Sequence, residues 1–247
     1  MRKSIKHLVL GSAVATSALF GLAAPAAAEV TGNVAVVSQY YFRGLQFTDN
    51  AAVQGGIDYT NSGFYIGGWA STLSGGNPSY ELDAYAGYGQ EYEHFTWDVG
   101  ALAYLYPDYE PPSGGDDLNY AELYFNGGIP FGPNSFNFGL AYTFWSETDK
   151  DSGDPFVSGD LWSYLGVDFA VSENWGLGAT LGYYDFKNDD DPDPLSYAYL
   201  GLSATRGVGD FGEVSFNLNM TDIDEDNGLG SSNSDKPKIW IGWSKDF

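Results

Sequence analysis

The chain has 247 residues, 33 acidic against 10 basic, a net charge of −23, 33 glycines, no cysteine and 17% aromatic side chains. Without cysteine there is no disulfide framework, thiolate metal site, iron–sulfur cluster or cysteine nucleophile, and so acidic a chain lacks the basic footprint that nucleic-acid binding needs. It is too aromatic for a disordered acidic chain and too rich in glycine for a helical bundle, which leaves many short strands.

Residues 1–28 read as a secretory signal peptide. Arg2, Lys3 and Lys6 open it, residues 8–22 form an apolar run broken only by small polar residues, and Ala26-Ala27-Ala28 offers a cleavage site. A retained anchor is the rival reading, but the run is short for a span of about 20 residues. Cleavage would leave one domain, residues 29–247, carrying 7 bases and 33 acids.

Beyond the leader, a segment of about ten residues recurs with apolar side chains at every second position, the period of a half-buried strand. Twelve such segments are expected, at 33–43, 51–60, 63–72, 80–90, 95–106, 118–126, 135–145, 160–171, 175–186, 196–206, 212–221 and 238–247. In one, Phe136, Phe138, Leu140, Tyr142 and Phe144 share a face opposite Asn137, Gly139, Ala141 and Thr143. In another, Val214, Phe216, Leu218 and Met220 alternate with Glu213, Ser215, Asn217 and Asn219.

Connections alternate too. Short turns at 61–62 and 172–174 contrast with long acidic ones at 107–117, 146–159, 187–195 and 222–237. Residues 127–134 and 73–79 are the exceptions. An even number of strands with alternating short turns and long loops specifies an all-β fold, an up-and-down antiparallel transmembrane β-barrel of about twelve strands. A soluble β-sandwich would also alternate. Against it stand apolar faces in all twelve segments and aromatics near the strand ends: Tyr40/Phe42, Phe64, Tyr80/Tyr88, Trp97, Phe144, Trp175 and Trp243 would form interfacial girdles. The last strand puts Ile239, Ile241 and Trp243 on one face and ends at Phe247, the kind of terminus read by the outer-membrane barrel assembly machinery; Lys245 on that face departs from the pattern.

The segments Tyr41-Phe42-Arg43-Gly44, Gln46-Phe47-Thr48-Asp49-Asn50, Val53-Gln54-Gly55-Gly56-Ile57-Asp58-Tyr59 and Ser62 through Trp69 resemble the start of the TorF-type porins. Glu81-Leu82-Asp83, Ala86-Gly87-Tyr88, Asp98-Val99-Gly100 and Tyr104-Leu105-Tyr106-Pro107 continue the likeness, which spans residues 40–122. The resemblance implies an outer-membrane, pore-forming role. It carries no catalytic residues and no substrate.

Chemistry is sparse. Beyond the leader the one histidine, His94, falls in a turn expected on the periplasmic side, whereas a phospholipase-like or protease-like barrel would hold its histidine towards the outer side against a nucleophile and a third group. Asp222, Asp224 and Asp226 alternate as in a calcium loop, but Asn227 and Asn233 stand where that motif needs glycine and glutamate. Asp189, Asp190, Asp191 and Asp193 form a second acidic run with no ligand spacing. No cofactor, metal site or enzyme is implied. Eighteen of the 33 acids fall in the loops expected on the outer side, a rim that attracts cations.

The polar face carries Asp58, Glu81, Asp83, Asp98, Glu122, Asp168 and Glu213 against two bases, Arg43 and Lys238. These nine are the candidate pore-lining residues, and carboxylate-lined pores favour cations. Tyr85, Tyr104, Tyr124, Tyr164, Tyr184, Tyr197, Tyr199, Trp162 and Trp240 share that face, where they could form a stacking path or fill the lumen. Arg43 could pair with Glu81 or Asp83. The expectation is an outer-membrane porin-like channel for passive diffusion of small solutes, cation-preferring. The alternative is a structural or interaction barrel with a packed lumen, its acidic loops binding cations, lipid or a partner. Partners would be outer-membrane lipids, the assembly machinery through Phe247, and small solutes.

Overall fold

The computed structural model describes residues 28–149, 152–188, 195–224, 229, 233 and 235–247. In chain order its elements are β1 (Glu29–Val37), β2 (Tyr41–Phe42), β3 (Leu45–Gln46), β4 (Ala52–Asn61), β5 (Phe64–Thr72), β6 (Tyr80–Glu91) and β7 (Thr96–Leu105). They continue with β8 (Tyr120–Phe131), β9 (Asn134–Ser146), β10 (Leu161–Ala170), β11 (Trp175–Asp185), β12 (Tyr197–Gly207), β13 (Glu213–Thr221) and β14 (Lys238–Asp246). A single 3₁₀ turn, Gly209–Phe211, interrupts the connection between β12 and β13. Strands β1 and β4–β14 close into a twelve-stranded antiparallel barrel, while β2 and β3 form a separate two-stranded hairpin.

Closure comes from pairing β1 with β14, in register from Asn33↔Asp246 to Val37↔Gly242. Gly32 and Phe247 extend that seam with two backbone hydrogen bonds, of 2.8 and 2.9 Å. The connections now alternate without exception. Those at 62–63, 92–95, 132–133, 171–174 and 208–212 are short turns; those at 38–51, 73–79, 106–119, 147–160, 186–196 and 222–237 are longer. Residues 127–134, expected as a connection, mostly belong to the wall. Gly127 and Gly128 pair with Phe138 and Asn137, and β8 runs on to Phe131. Glycines carry no side chain to mark the alternation, which hid that part of the strand.

The first expected strand is corrected as well. Wall strand β1 ends at Val37, and residues 38–51 leave the wall and fold into the lumen as the β2–β3 hairpin. The reversal is made by Arg43 and Gly44, at φ +51° and +93°. Gly44 suits that conformation because it has no Cβ to clash. Tyr40 and Phe42 are therefore not girdle residues; they are buried inside the barrel.

The outward face is a continuous apolar belt. Ile57, Ile66, Leu123, Leu140, Leu165, Leu181 and Ile241 all stand exposed on it. A water-soluble domain does not present so large an apolar surface, whereas a bilayer-spanning barrel requires one. At the short-turn end the belt is edged by aromatics, with Phe64, Tyr88 and Trp97 in ring contact across β5, β6 and β7 at 4.5 and 5.7 Å. Phe144 and Tyr142 are exposed near the long-loop end.

On the inner face, aromatic side chains reach over glycines of the neighbouring strand. Tyr85 covers Gly67, Tyr65 covers Gly87, Tyr124 covers Gly100, Tyr164 covers Gly139 and Trp162 covers Gly182; a Cβ at any of these glycines would overlap the ring. Replacing Gly182 by alanine should thus overpack the wall by roughly 1–3 kcal/mol. Gly182→Ala should unfold at lower temperature than the parent in a heat-modifiability gel. Gly207→Ala, where a Cβ meets nothing within 4 Å, should not.

Candidate functional site

The lumen divides by height. Towards the long-loop end it is packed. Val37, Gln54, Trp69, Glu81, Asp83, Tyr104, Tyr120, Glu122, Trp162, Tyr184, Tyr197 and Trp240 are all buried around the hairpin. Towards the short-turn end the inward positions Asp58, Ser135, Asn137, Asp168, Glu213 and Ser215 are partly accessible, and Asp246 is exposed. The inner face is thus partly accessible towards the short turns, though Thr60, Asp98 and Thr205 are buried there, and the long-loop half is closed by the hairpin.

The contact at its head is an ion pair. Arg43, at the hairpin tip, grips Glu122 of β8 with both terminal nitrogens, Nη1–Oε1 at 2.6 Å and Nη2–Oε2 at 2.7 Å. Both side chains are almost fully buried, 9% and 1% exposed. Such fork-to-fork geometry is among the strongest that proteins make. Tyr104 donates its hydroxyl to Glu122 Oε2 at 3.0 Å. Tyr184 accepts from Arg43 Nη1 at 3.0 Å and donates to Glu122 Oε1 at 3.3 Å. The guanidinium lies 4.5 Å from the Phe42 ring, 5.3 Å from Tyr184 and 5.5 Å from Trp162, so aromatic faces replace the water that burial removed. The Tyr197 hydroxyl holds the Arg43 carbonyl at 2.9 Å.

Glu81 is held differently from the expected pairing with Arg43. It accepts the hydroxyls of Tyr40 and Tyr106, at 3.0 and 2.9 Å. Asp83 is buried beside it with one carboxylate oxygen unpartnered. Residues 152–160 cap the hairpin from above. Phe156 packs on Phe42, Phe47 and Tyr120 at ring distances of 6.5, 6.3 and 5.1 Å. Its φ is +63°, costly for a bulky side chain and sustained only by surroundings that fix it.

Lower in the barrel the remaining candidates face inward apart from one another. Tyr85 donates to Asp58 at 2.6 Å, and Asn137 donates to Asp168 at 2.7 Å. Asp98 is buried on β7, near the level where the Tyr65 and Tyr124 hydroxyls meet. Glu213 stands opposite Ser244 at the short-turn end of β13. Lys238 stands at the other end of the barrel, opposite Asn219. The nine candidates thus fall into two groups. Arg43, Glu81, Asp83 and Glu122 gather at the plug, with Lys238 at the same end, while Asp58, Asp98, Asp168 and Glu213 line the lower half.

His94 is exposed in the turn between β6 and β7, 4.0 Å from Glu93. Among the described residues no three His, Asp or Glu side chains are grouped to hold a metal. The run from Asp189 to Asp193 and residues Asp226 and Asn227 lie outside the described residues. The long loops are tied to one another at the mouth. Ser79 donates its backbone N–H and its hydroxyl to Asp108, which holds that carboxyl below the ordinary carboxylate range.

Fold and belt together define the class, a membrane-spanning β-barrel of the bacterial outer-membrane kind with an inward-folded loop. The family model described as "Bacterial protein of unknown function (Gcw_chp)" matches residues 22–247, and the chain belongs to that family. No curated protein matches the sequence. Among solved structures the chain is similar to the KdgM porin, at TM-score 0.57 and 9% identity over 88% of this chain and 98% of that one. It is also similar to the COG4313 outer membrane channel from Pseudomonas putida F1, at TM-score 0.53 and 11% identity over 90% and 96%. At such identities the likeness is one of fold.

Two measurements check the site. Glu122→Ala would leave Arg43 charged, buried and unpaired, a loss of about 3–5 kcal/mol. Its unfolding midpoint in denaturant should fall accordingly, and far more than that of Asp58→Ala near the open end. At the mouth, the Ser79–Asp108 tie belongs to the ionised carboxylate. A lowered pKa gives stability that is full above the unfolded value of about 4 and lost as pH falls below it. Amide exchange at Ser79, corrected for its intrinsic rate, should accelerate over that range and already be fast at neutral pH in Asp108→Asn.

Proposed function

We propose that the protein is an outer-membrane channel for passive diffusion of small solutes, with a preference for cations. One observation carries this reading. Towards the short-turn end the inner face carries Asp58, Asp98, Asp168 and Glu213, with Asp58, Asp168 and Glu213 partly accessible and Asp98 buried, and we read this stretch as a vestibule. Carboxylates at membrane depth belong in water or in paired networks, and a barrel needed only as a scaffold has no use for four of them turned inward. Lined this way, the vestibule concentrates cations and repels anions. The resemblance of residues 40–122 to the TorF-type porins supports the same reading, as does the fold shared with a porin and an outer-membrane channel.

The export route follows from the sequence. A signal peptide ends at Ala28, and the barrel domain begins at Glu29. The last strand, ending at Phe247, is the segment offered to the barrel assembly machinery, and the apolar belt meets outer-membrane lipid. The short turns then face the periplasm, and the long acidic loops face outwards.

Purified barrel in a planar bilayer across a KCl gradient should give stepwise currents with a cation-selective reversal potential. Asp58→Asn combined with Asp98→Asn should move that potential towards zero. Anion selectivity would overturn the preference. The packed long-loop half favours a second reading, a structural barrel whose acidic loops bind ions, lipid or a partner. A folded, heat-modifiable barrel that stays silent in the bilayer would select it.

A further inference from the structure

The hairpin is constructed as a unit apart from the wall that surrounds it. Much of its backbone pairing is internal: Tyr41 pairs with Gln46 and Phe42 with Leu45. Phe47 donates to the Tyr40 carbonyl at 2.8 Å, and Tyr40 donates to Thr48 Oγ1 at 2.8 Å. The Thr48 hydroxyl donates in turn to the Asn50 carbonyl at 2.7 Å. Three of its peptide N–H groups reach outside it: Ser38 donates to the Ile241 carbonyl at 2.9 Å, where the segment joins the wall, Gln46 to Asn233 Oδ1 at 2.7 Å and Asp49 to Ser74 Oγ at 3.2 Å. A segment that pairs most of its peptide groups internally gives up few of them when it leaves its seat. Its seat in the wall is made by side chains: Arg43 on Glu122, Tyr40 on Glu81, and Tyr197 on the Arg43 carbonyl.

Resting on the channel reading, we infer that residues 38–51 are the channel's gate and that the Arg43–Glu122 ion pair is its latch. In the closed state the hairpin fills the long-loop half of the lumen, and Arg43 offsets part of the charge of Glu81, Asp83 and Glu122. Withdrawal removes Tyr40, Phe42 and Arg43 together. The bore is then unblocked, and the three carboxylates are left facing it without the guanidinium. One movement therefore sets both conduction and charge preference. Phe156 is part of the closed state. Its positive-φ conformation is supported by the hairpin rings beneath it, so the capping loop relaxes when the hairpin goes.

The natural absence of cysteine makes the test direct. Leu45, in β3, is 3% exposed. In full-length L45C reconstituted in vesicles, the thiol should react slowly with a charged, membrane-impermeant methanethiosulfonate. In L45C/E122Q it should react at least about tenfold faster, because the closed state has lost a buried charge contact. E122Q should also conduct more often than the parent in a planar bilayer, and R43A, which keeps all three carboxylates, should do so with stronger cation preference. Only protein that runs as a folded, heat-modifiable band is scored. Should E122Q fail to fold, R43A/E122A, which removes both partners of the ion pair, takes its place. Unchanged labelling beside a cation-selective current would overturn the gate alone. Faster labelling with no current in any variant would overturn the gate and the channel reading together.

Discussion

Hydrocarbon offers no partner to a peptide N–H or carbonyl, so a chain that crosses a bilayer as strands must pair every one of them with a neighbouring strand. That requirement forces the ladder to run unbroken from β4 through β14 and back to β1. It also explains why the seam continues through Gly32 and Phe247. The outward side chains then have only to be apolar, and the belt of leucine, isoleucine and aromatic residues meets that condition. All specificity in the fold is pushed to the inner face. There the wall gains close packing by setting rings over glycines, a joint that locks neighbouring strands side by side without lengthening either.

The interior of the long-loop half shows how carboxylates are kept in a nearly dry place. Glu122 has a guanidinium and two phenol hydroxyls, and Glu81 has two phenol hydroxyls. Hydrogen bonds to a charged group are worth about 1.5–3 kcal/mol each, enough in number to offset desolvation that a lone carboxylate could not survive. Tyrosine serves here because one side chain supplies both a large apolar ring and a donor. The same residues therefore fill the bore and hold its charges, which accounts for how many of the chain's tyrosines point inward.

Much of the wall was legible because alternation is a local signal. Eleven of the twelve expected segments coincide with wall strands to within a few residues, with the second half of β8 lost where Gly127 and Gly128 carry no side chain. The hairpin was not legible. Val34, Val36, Tyr40 and Phe42 share parity, so the alternation runs on past the true end of β1, and only Arg43-Gly44 hints at a reversal. Inward orientation of Asp58, Glu81, Asp83, Asp98, Glu122, Asp168 and Glu213 followed from parity alone. Their partners did not. That Arg43 reaches Glu122 rather than Glu81 depends on a fold-back linking positions 79 residues apart. That Glu81 is held by Tyr40 depends on the same fold-back, and no spacing in the sequence encodes either.

The barrel sorts its inward carboxylates by depth. Asp58, Asp168 and Glu213, towards the short turns, keep part of their surface accessible, whereas Glu81, Asp83 and Glu122 are shut among rings beside the hairpin. Added salt screens exposed charges and reaches buried ones far less. The two sets therefore differ in what they answer to: the first to the ionic strength of the solution, the second to the seating of a single guanidinium and a few phenol hydroxyls.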